Sequence, residues 1–454
     1  ATVAAAPPPD PLAALAAANG HPAAVHLRAT AKRVVEGRTI LTTLDQLGAQ
    51  RLVRRCVGEV CSGTWFDGRR EWAFGLNEIA LPQEGDETLP IERTLFAIAS
   101  CAFAEPAFRA AGGTAARDGA GRWRVRARDG TELIAVIDPA TQAVRRVETA
   151  AGRPIAVYGR EARAGGAAFA LDRASPFEAG AFDEVAVVPG PLGPPAGAVP
   201  SFSGDAPLAL GDERVPIVPC SLGGRNARCL LDTGATPSAI TLPLAEALKL
   251  EPHGELEIAG LGRFATGFVE AGPLALGPAR FERARFAVIP PSAAAKFDVV
   301  VGSDLLGRVR LVLDRARSTA RVLPSGGAAA GQPNTVPVAF RNGAPVVQAM
   351  LGPEGTGALL DTGDEATVSF GYAAYRKGPQ WPVVSRGTAL GVAGADDTFT
   401  VDVPDVQVGP LALGTVRATV RRTQASAHVG IGLWDRFVVD VDEGAGRVAL
   451  PPRR

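Results

Sequence analysis

Two short segments carry the residues best suited to chemistry: Cys229-Leu-Leu-Asp232-Thr233-Gly234 and Ala358-Leu-Leu-Asp361-Thr362-Gly363. In each, two leucines bury the backbone and an aspartate then emerges at a turn that glycine permits. The threonine adds a hydroxyl able to bond a neighbouring loop. Two equivalent carboxylates that meet at a pseudo-two-fold axis cannot both ionise, so they share one proton and their apparent pKa values split. One member can then take a proton from a water held between them while the other protonates a carbonyl oxygen. That is amide hydrolysis with neither a metal nor a covalent intermediate. A lone Asp-Thr-Gly is ordinary turn text; two at matching positions of a repeat point to a dyad.

The repeat extends beyond these motifs. Ile217–Gly234 aligns without a gap on Val346–Gly363, placing Leu222, Gly223, Leu230 and Leu231 on Leu351, Gly352, Leu359 and Leu360. Val300-Val301-Gly302 and His428-Val429-Gly430 follow at matching distances downstream. Strand-like text such as Arg285-Phe-Ala-Val-Ile and Val416-Arg-Ala-Thr-Val lies between. Two copies read as a pseudo-dimer and not as a solenoid. Clustered Pro and Gly, which hold neither a helix nor a central strand, mark linkers. The expected organisation is a tail at 1–24, a β-rich accessory domain at 25–187, a linker at 188–204, a first lobe at 205–322, a linker at 323–335 and a second lobe at 336–454. Within the N-terminal part, runs such as Trp123-Arg-Val-Arg-Ala and Leu133-Ile-Ala-Val-Ile predict strands, and Ile91–Phe103 predicts a helix whose continuation to Ala111 stays open.

The 454 residues are 46% hydrophobic and 21% charged, the profile of a soluble globular chain. Lys plus Arg and Asp plus Glu both number 47, so the basic excess of a nucleic-acid or polybasic membrane binder is missing. No apolar run approaches the roughly 18–20 residues of a membrane span. The expected partner is a polypeptide substrate, with no nucleic acid, no membrane span and a monomeric state. His21, His26, His253 and His428 share no ligand spacing, so neither a metal nor another cofactor is expected. No Gly-x-Ser-x-Gly elbow or phosphate loop occurs, and Gly260-Leu-Gly262 and Gly444-Ala-Gly446 do not complete a dinucleotide fingerprint.

Cys56/Cys61 and Cys220/Cys229 each flank a short turn, as directly opposed hairpin residues close enough for a disulfide would. Cys220 and Cys229 both become alanine in the second copy, at Ala349 and Ala358, as facing positions do together. Cys101 lies in an apolar run and reads as a buried thiol. Two disulfides, and a chain that begins at Ala1 with Met350 as its only methionine, predict a removed signal peptide and a periplasmic or secreted location.

Leu-Leu-Asp-Thr-Gly-Ala with its later apolar-apolar-Gly resembles the aspartic proteases, above all the retroviral-type (retropepsin) branch found in bacteria, over roughly residues 205–450. In that family two aspartates sharing one proton are the established case. The resemblance implies a mainly β, two-lobed acid-protease (double retropepsin-like) β-barrel fold, pepsin-like in drawing both aspartates from one chain. An antiparallel β-sheet domain with one or two helices would precede it. Asp232 and Asp361 would be catalytic, Thr233 and Thr362 would lock the loops together, and Gly234 and Gly363 would complete the turns. Gly302 and Gly430 would mark the strand threading beside each loop. Cleft-covering hairpins would correspond to Ile258–Gly267, with Gly260, Gly262 and Phe264, and to Gly387–Gly394, with Gly391. Glycine there allows close approach to a substrate and a hinge for closure.

The chain departs from the family pattern in three places. Tyr158, Tyr372 and Tyr375 all lie outside the first hairpin, so a pepsin-type flap tyrosine is absent. His428 interrupts an apolar pair, and Asp364-Glu365 stand where the first copy has Ala235-Thr236. Extra carboxylates either raise the dyad's pKa or point outward, which puts the second lobe's competence in question. Thr64-Trp-Phe-Asp-Gly68-Arg-Arg-Glu-Trp72 and Leu133-Ile-Ala-Val-Ile-Asp138-Pro-Ala-Thr-Gln142 resemble the LolA-like half-barrels of periplasmic lipoprotein carriers. That likeness implies a sheet wrapped on the helix at 91–103, with a concave face for an apolar or peptide ligand; the alternative is a packing or targeting domain. The function expected is an aspartic endopeptidase whose water is activated by Asp232 and Asp361. The rivals are a non-catalytic periplasmic binding or carrier protein on a protease-like scaffold, and a zymogen processed at 188–200.

Overall fold

A computed structural model describes residues 10–21, 24–48, 50–83, 89–175, 179–260, 262–290, 296–326, 334–341, 343–391 and 394–453. Residues 1–9 of the expected tail, 327–333 of the second linker, and 261, 392 and 393 of the expected flaps lie outside them. The chain is mainly β. It divides into two compact units, one of residues 1–58, 63–71 and 85–194 and the other of 59–62, 72–84 and 195–454.

In the first unit, Leu27–Val35, Arg38–Leu47 and Gln50–Val57 pair antiparallel in succession, and Glu184–Val187 adds to the outer edge. A second antiparallel sheet runs from Thr114–Arg117 through Arg122–Arg126, Glu132–Ile137, Val144–Thr149 and Pro154–Tyr158 to Asp172–Ala174 and Ala179–Ala181. Alternate residues of these strands, Trp123 and Val125 among them, are buried with Leu95, Phe96 and Ile98 of the helix Leu89–Ala99. The single helix expected over 91–103 comes in pieces. Cys101 is left-handed at φ 56°, which ends the helical ladder; Ala102–Ala104 make one 3₁₀ turn, and Pro106 starts the short helix Pro106–Ala110. Residues Pro11–Ala18 are helical, capped by Asp10, whose carboxylate accepts the Leu12 N–H at 3.0 Å; Leu12 and Leu15 are buried in the same cluster.

The second unit contains both copies of the repeat, and their sheets follow the same order of pairing. In the first copy the hairpin Ile217–Leu222/Arg225–Asp232 turns at Gly223 and Gly224, whose φ of 57° and 79° suit a tight two-residue turn and favour glycine. The strand ending in Asp232 then lies parallel to Val299–Gly302, followed across the sheet by Ala239–Thr241, Ala284–Ile289 and the hairpin His253–Gly260/Gly262–Ala271. The second copy repeats this with Ala344–Leu351/Glu354–Asp361, then His428–Gly430, Val368–Gly371, Leu411–Arg421 and the hairpin Val383–Gly391/Gly394–Val408. Val299-Val300-Val301 read as one apolar run because that strand is covered on both faces.

Strands of both copies meet in a further sheet, where Val309–Asp314 pairs antiparallel with Val439–Asp442 and Arg310 bonds Asp440 at 2.5 Å. One apolar core spans both copies, with Leu231, Phe286 and Val301 from the first and Leu360, Val429 and Trp434 from the second. Cys220 and Cys229 are bonded, with Cα atoms 5.9 Å apart. They are not directly opposed: Cys220 faces Ala227 and Cys229 faces Val218, so the bridge crosses the diagonal, because the glycine turn sits off the midpoint between the cysteines. Cys56 and Cys61 are also disulfide-bonded, and burial pushes the free Cys101 thiol up to about 12. Among the described residues no helix is long and apolar enough to cross a membrane.

Candidate active site

Asp232 and Asp361 each stand at the end of a strand whose preceding leucines anchor it in the shared core. Gly302 is the parallel-strand partner of Asp232, and Gly430 that of Asp361. Beyond each aspartate the chain turns, and the Gly234 and Gly363 N–H groups donate back to Asp232 Oδ1 and Asp361 Oδ1, both at 2.9 Å. The two loops face each other closely. A Cβ on Gly234 would stand 2.5 Å from Asp361 Oδ1, and one on Gly363 would stand 2.7 Å from Asp232 Oδ1, so each position accepts only glycine.

The threonines tie the loops reciprocally. Thr233 Oγ1 donates to the Leu360 carbonyl at 2.6 Å and accepts the Thr362 N–H at 3.1 Å. Thr362 Oγ1 donates to the Leu231 carbonyl at 2.6 Å and accepts the Thr233 N–H at 3.0 Å. All four bonds are buried. Thr233→Val keeps the shape but leaves a buried donor and acceptor without these partners, so it is expected to lower unfolding stability by about 2–4 kcal/mol. Thr233→Ser, which keeps the hydroxyl, should lose about 1 kcal/mol or less for the missing methyl. Urea titration of the two variants measures the difference, and equal losses would contradict the bonding scheme.

The carboxyls of Asp232 and Asp361 share a hydrogen bond. Burial and the Asp361 charge raise Asp232 well above the usual carboxylate range, against backbone N–H bonds from Gly234 and Ala235. Burial also pushes Asp361 upward, but a hydrogen bond and charge from His428, the bond from Asp232 and the charge of Arg421 outweigh it and hold Asp361 low. The two carboxyls are thus shifted in opposite directions, as acids that share a proton are. His428 Nδ1 donates to Asp361 Oδ2 at 3.0 Å.

Asp364 points inward and is neutralised: Arg421 donates to its Oδ1 at 2.6 Å, the Ala366 N–H to the same oxygen at 3.1 Å, and Ser369 Oγ to its Oδ2 at 2.5 Å. Glu365 is exposed. Of the two fates open to the extra carboxylates, outward placement describes Glu365 alone, while a guanidinium compensates Asp364. Asp361, Asp364 and His428 bring three metal-donor atoms within 4.8 Å of one another. Their lone pairs are already taken by Arg421, Ser369 and the His428 N–H, and Arg421 stands where a bound cation would be repelled. The trio does not fit a metal.

The first copy supports its loop differently. Ser238 donates from its N–H to Asp304 Oδ1 at 2.8 Å and from its hydroxyl at 2.5 Å, while Asn77 Nδ2 donates to Asp304 Oδ2 at 2.7 Å. Burial raises Asp304, which has no cation among these partners. Ser303 Oγ donates to the Thr233 carbonyl at 2.7 Å and lies 2.9 Å from Glu443 Oε1. Burial pushes Glu443 up to about 8, against the Ser303 hydrogen bond, with the charges of Asp304, Asp232 and Asp442 adding to the rise.

The expected hairpins are present. Gly260 faces Gly262 in the first, and Gly391 faces Gly394 in the second. Phe264 lies in the strand opposite Ile258 and packs with Leu230, Val300 and Ala235 beside the Asp232 loop. Asn77, Ser303, Asp304 and Glu443 carried no sequence signal; His428 and Asp364 were visible only as departures from the repeat.

Comparison with curated proteins gives no match. A family model described as aspartyl protease matches residues 218–305, which include Asp232-Thr233-Gly234 and Gly302 and stop short of the second copy. Residues 218–305 are thus an aspartyl protease-like domain.

Proposed function

We propose that the protein is an exported, monomeric aspartic endopeptidase in which one chain supplies both lobes, 205–322 and 336–454, and both acids. The observation that carries this reading is the hydrogen-bonded pair of Asp232 and Asp361, held by the reciprocal threonine bonds. A water between the carboxyls gives a proton to Asp361 while its oxygen attacks the peptide carbonyl carbon, and Asp232 gives its proton to the carbonyl oxygen. The tetrahedral diol then collapses: the C–N bond breaks, the leaving nitrogen takes the proton that Asp361 received, and one diol hydroxyl returns its proton to Asp232 as the C=O bond re-forms, which restores both acids. The substrate lies extended across the two copies under the hairpins, and the N-terminal unit has an accessory role. The disulfides fit an oxidising compartment.

Activity needs one proton on the pair. It falls at low pH when Asp361 is protonated and at high pH when Asp232 loses its proton, which puts the optimum in mildly acid solution. Incubating the purified chain with a denatured protein mixture across the acid-to-neutral range, with and without a transition-state peptide mimic, tests this. Inhibitable cleavage is expected. Silence at every pH favours a binding or carrier protein.

A further inference from the structure

We propose that His428 is a positioning residue that makes the dyad asymmetric, keeping Asp361 as the carboxylate and Asp232 as the proton carrier. The proposal rests on the reading of the pair as a hydrolytic dyad and adds an order of roles that the repeat alone leaves open. In the parallel ladders Leu230 pairs with Val300 and Leu359 with His428. Leu230 and Leu359 are repeat equivalents, so His428 occupies the place of Val300. The apolar side chain of Val300 offers Asp232 no hydrogen bond; His428 gives Asp361 one at 3.0 Å.

The imidazole is only 16% exposed, so its contacts are little screened. The groups facing it come from three elements. Asp361 ends its own strand, Asp364 of the following loop lies 3.8 Å away, and Arg421 ends the strand Leu411–Arg421 and bonds Asp364 at 2.6 Å. Arg421 cancels the Asp364 charge, leaving Asp361 as the acceptor for the His428 N–H. On the other side of the pair, Asp232 receives backbone N–H bonds, and the nearby Asp304 and Glu443 are acids. A hydrogen-bond donor therefore stands behind Asp361 and acidic groups behind Asp232. A shared proton settles on the acid whose ionised form has the weaker hydrogen-bond support. Asp361 is accordingly the base that receives the water proton, and Asp232 the acid that protonates the carbonyl oxygen.

The test replaces His428 by the residue that the first copy uses, His428→Val, and by His428→Gln, which keeps an N–H donor without the imidazole. With a peptide substrate, kcat/KM of the valine variant is expected to fall about tenfold at about pH 4 and by less than about threefold at about pH 6, moving the acid limb upward. The glutamine variant should lie between valine and wild type. A packing defect alone would lower activity evenly across pH, and a parallel drop at all pH values overturns the proposal. A second arm needs no turnover. Carbon-13 NMR of labelled aspartate carboxyls, assigned with Asp232→Asn and Asp361→Asn, should show Asp361 ionised to lower pH in wild type than in His428→Val. Identical titrations overturn the proposal. Absence of hydrolysis by wild type, with the NMR difference present, would reject the protease reading and leave the placement of charge standing.

Discussion

Asp232→Asn and Asp361→Asn are each expected to lower peptide hydrolysis by about 10³-fold, because each removes one of the two proton-transfer groups. The substitutions are close to isosteric, and the loops remain tied by Thr233 and Thr362. The two variants fail for different reasons. In Asp232→Asn the new amide matches the neutral acid in shape and hydrogen bonding but has no acidic proton to pass to the carbonyl oxygen. Asp361→Asn leaves His428 without its carboxylate and the water without a base. Folding should survive in both, and the Asp232 variant should gain stability toward neutral pH, where wild type holds a half-buried acid raised by its surroundings. Initial rates on a cleaved peptide, with thermal melts of the same preparations, check the prediction. Undiminished activity in either variant ends the dyad proposal.

A second large effect is expected on stability, from a group with no place in the chemistry. Glu443 is 1% exposed, and its Oε2 has no hydrogen-bond partner among the described residues. Its carboxyl is raised from 4.5 to about 8. A carboxyl whose folded pKa exceeds its unfolded value stabilises fully below the unfolded value and loses that contribution as pH rises through the folded one. Between about pH 4.5 and about pH 8 this single group should remove on the order of 5 kcal/mol of stability. Asp304 and Asp232 act with the same sign and Asp361 against it. The protein should thus be more stable in acid than at neutrality, the condition in which the proposed dyad works. Glu443→Gln keeps the shape and an acceptor oxygen for Ser303 without a titrating carboxyl, and should flatten the dependence. Urea unfolding of wild type and variant at a series of pH values measures it. Equal pH slopes in the two proteins would show that Glu443 is not held neutral.

The neutral Glu443 also bears on how the site is built. Through Ser303 it sits behind the backbone of Thr233, so the loop carrying Asp232 is backed by a buried acid. The loop carrying Asp361 is backed by a histidine and an arginine. The two halves of the repeat, alike in strand order, have opposite electrostatic surroundings.

The sequence by itself determined what short range controls: the duplicated Asp-Thr-Gly, the apolar runs that lead into it and the glycine turns. Side-chain alternation and backbone freedom are local properties, so the strands ending in Asp232 and Asp361 could be placed from residue types, and the hairpins at Gly260/Gly262 and Gly391/Gly394 from the family resemblance those residues carry. The helix at 91–103 misled because a left-handed backbone at Cys101 breaks a pattern that composition reads as continuous. Only the tertiary structure decided how the two acids differ. Their surroundings are set by groups arriving from far along the chain: His428 lies 67 residues from Asp361, Glu443 lies 140 from Ser303, and Asn77 lies 227 from Asp304. In the proposed dyad two identical motifs become an acid and a base because burial and neighbouring groups set protonation, and both exist only once the chain has folded.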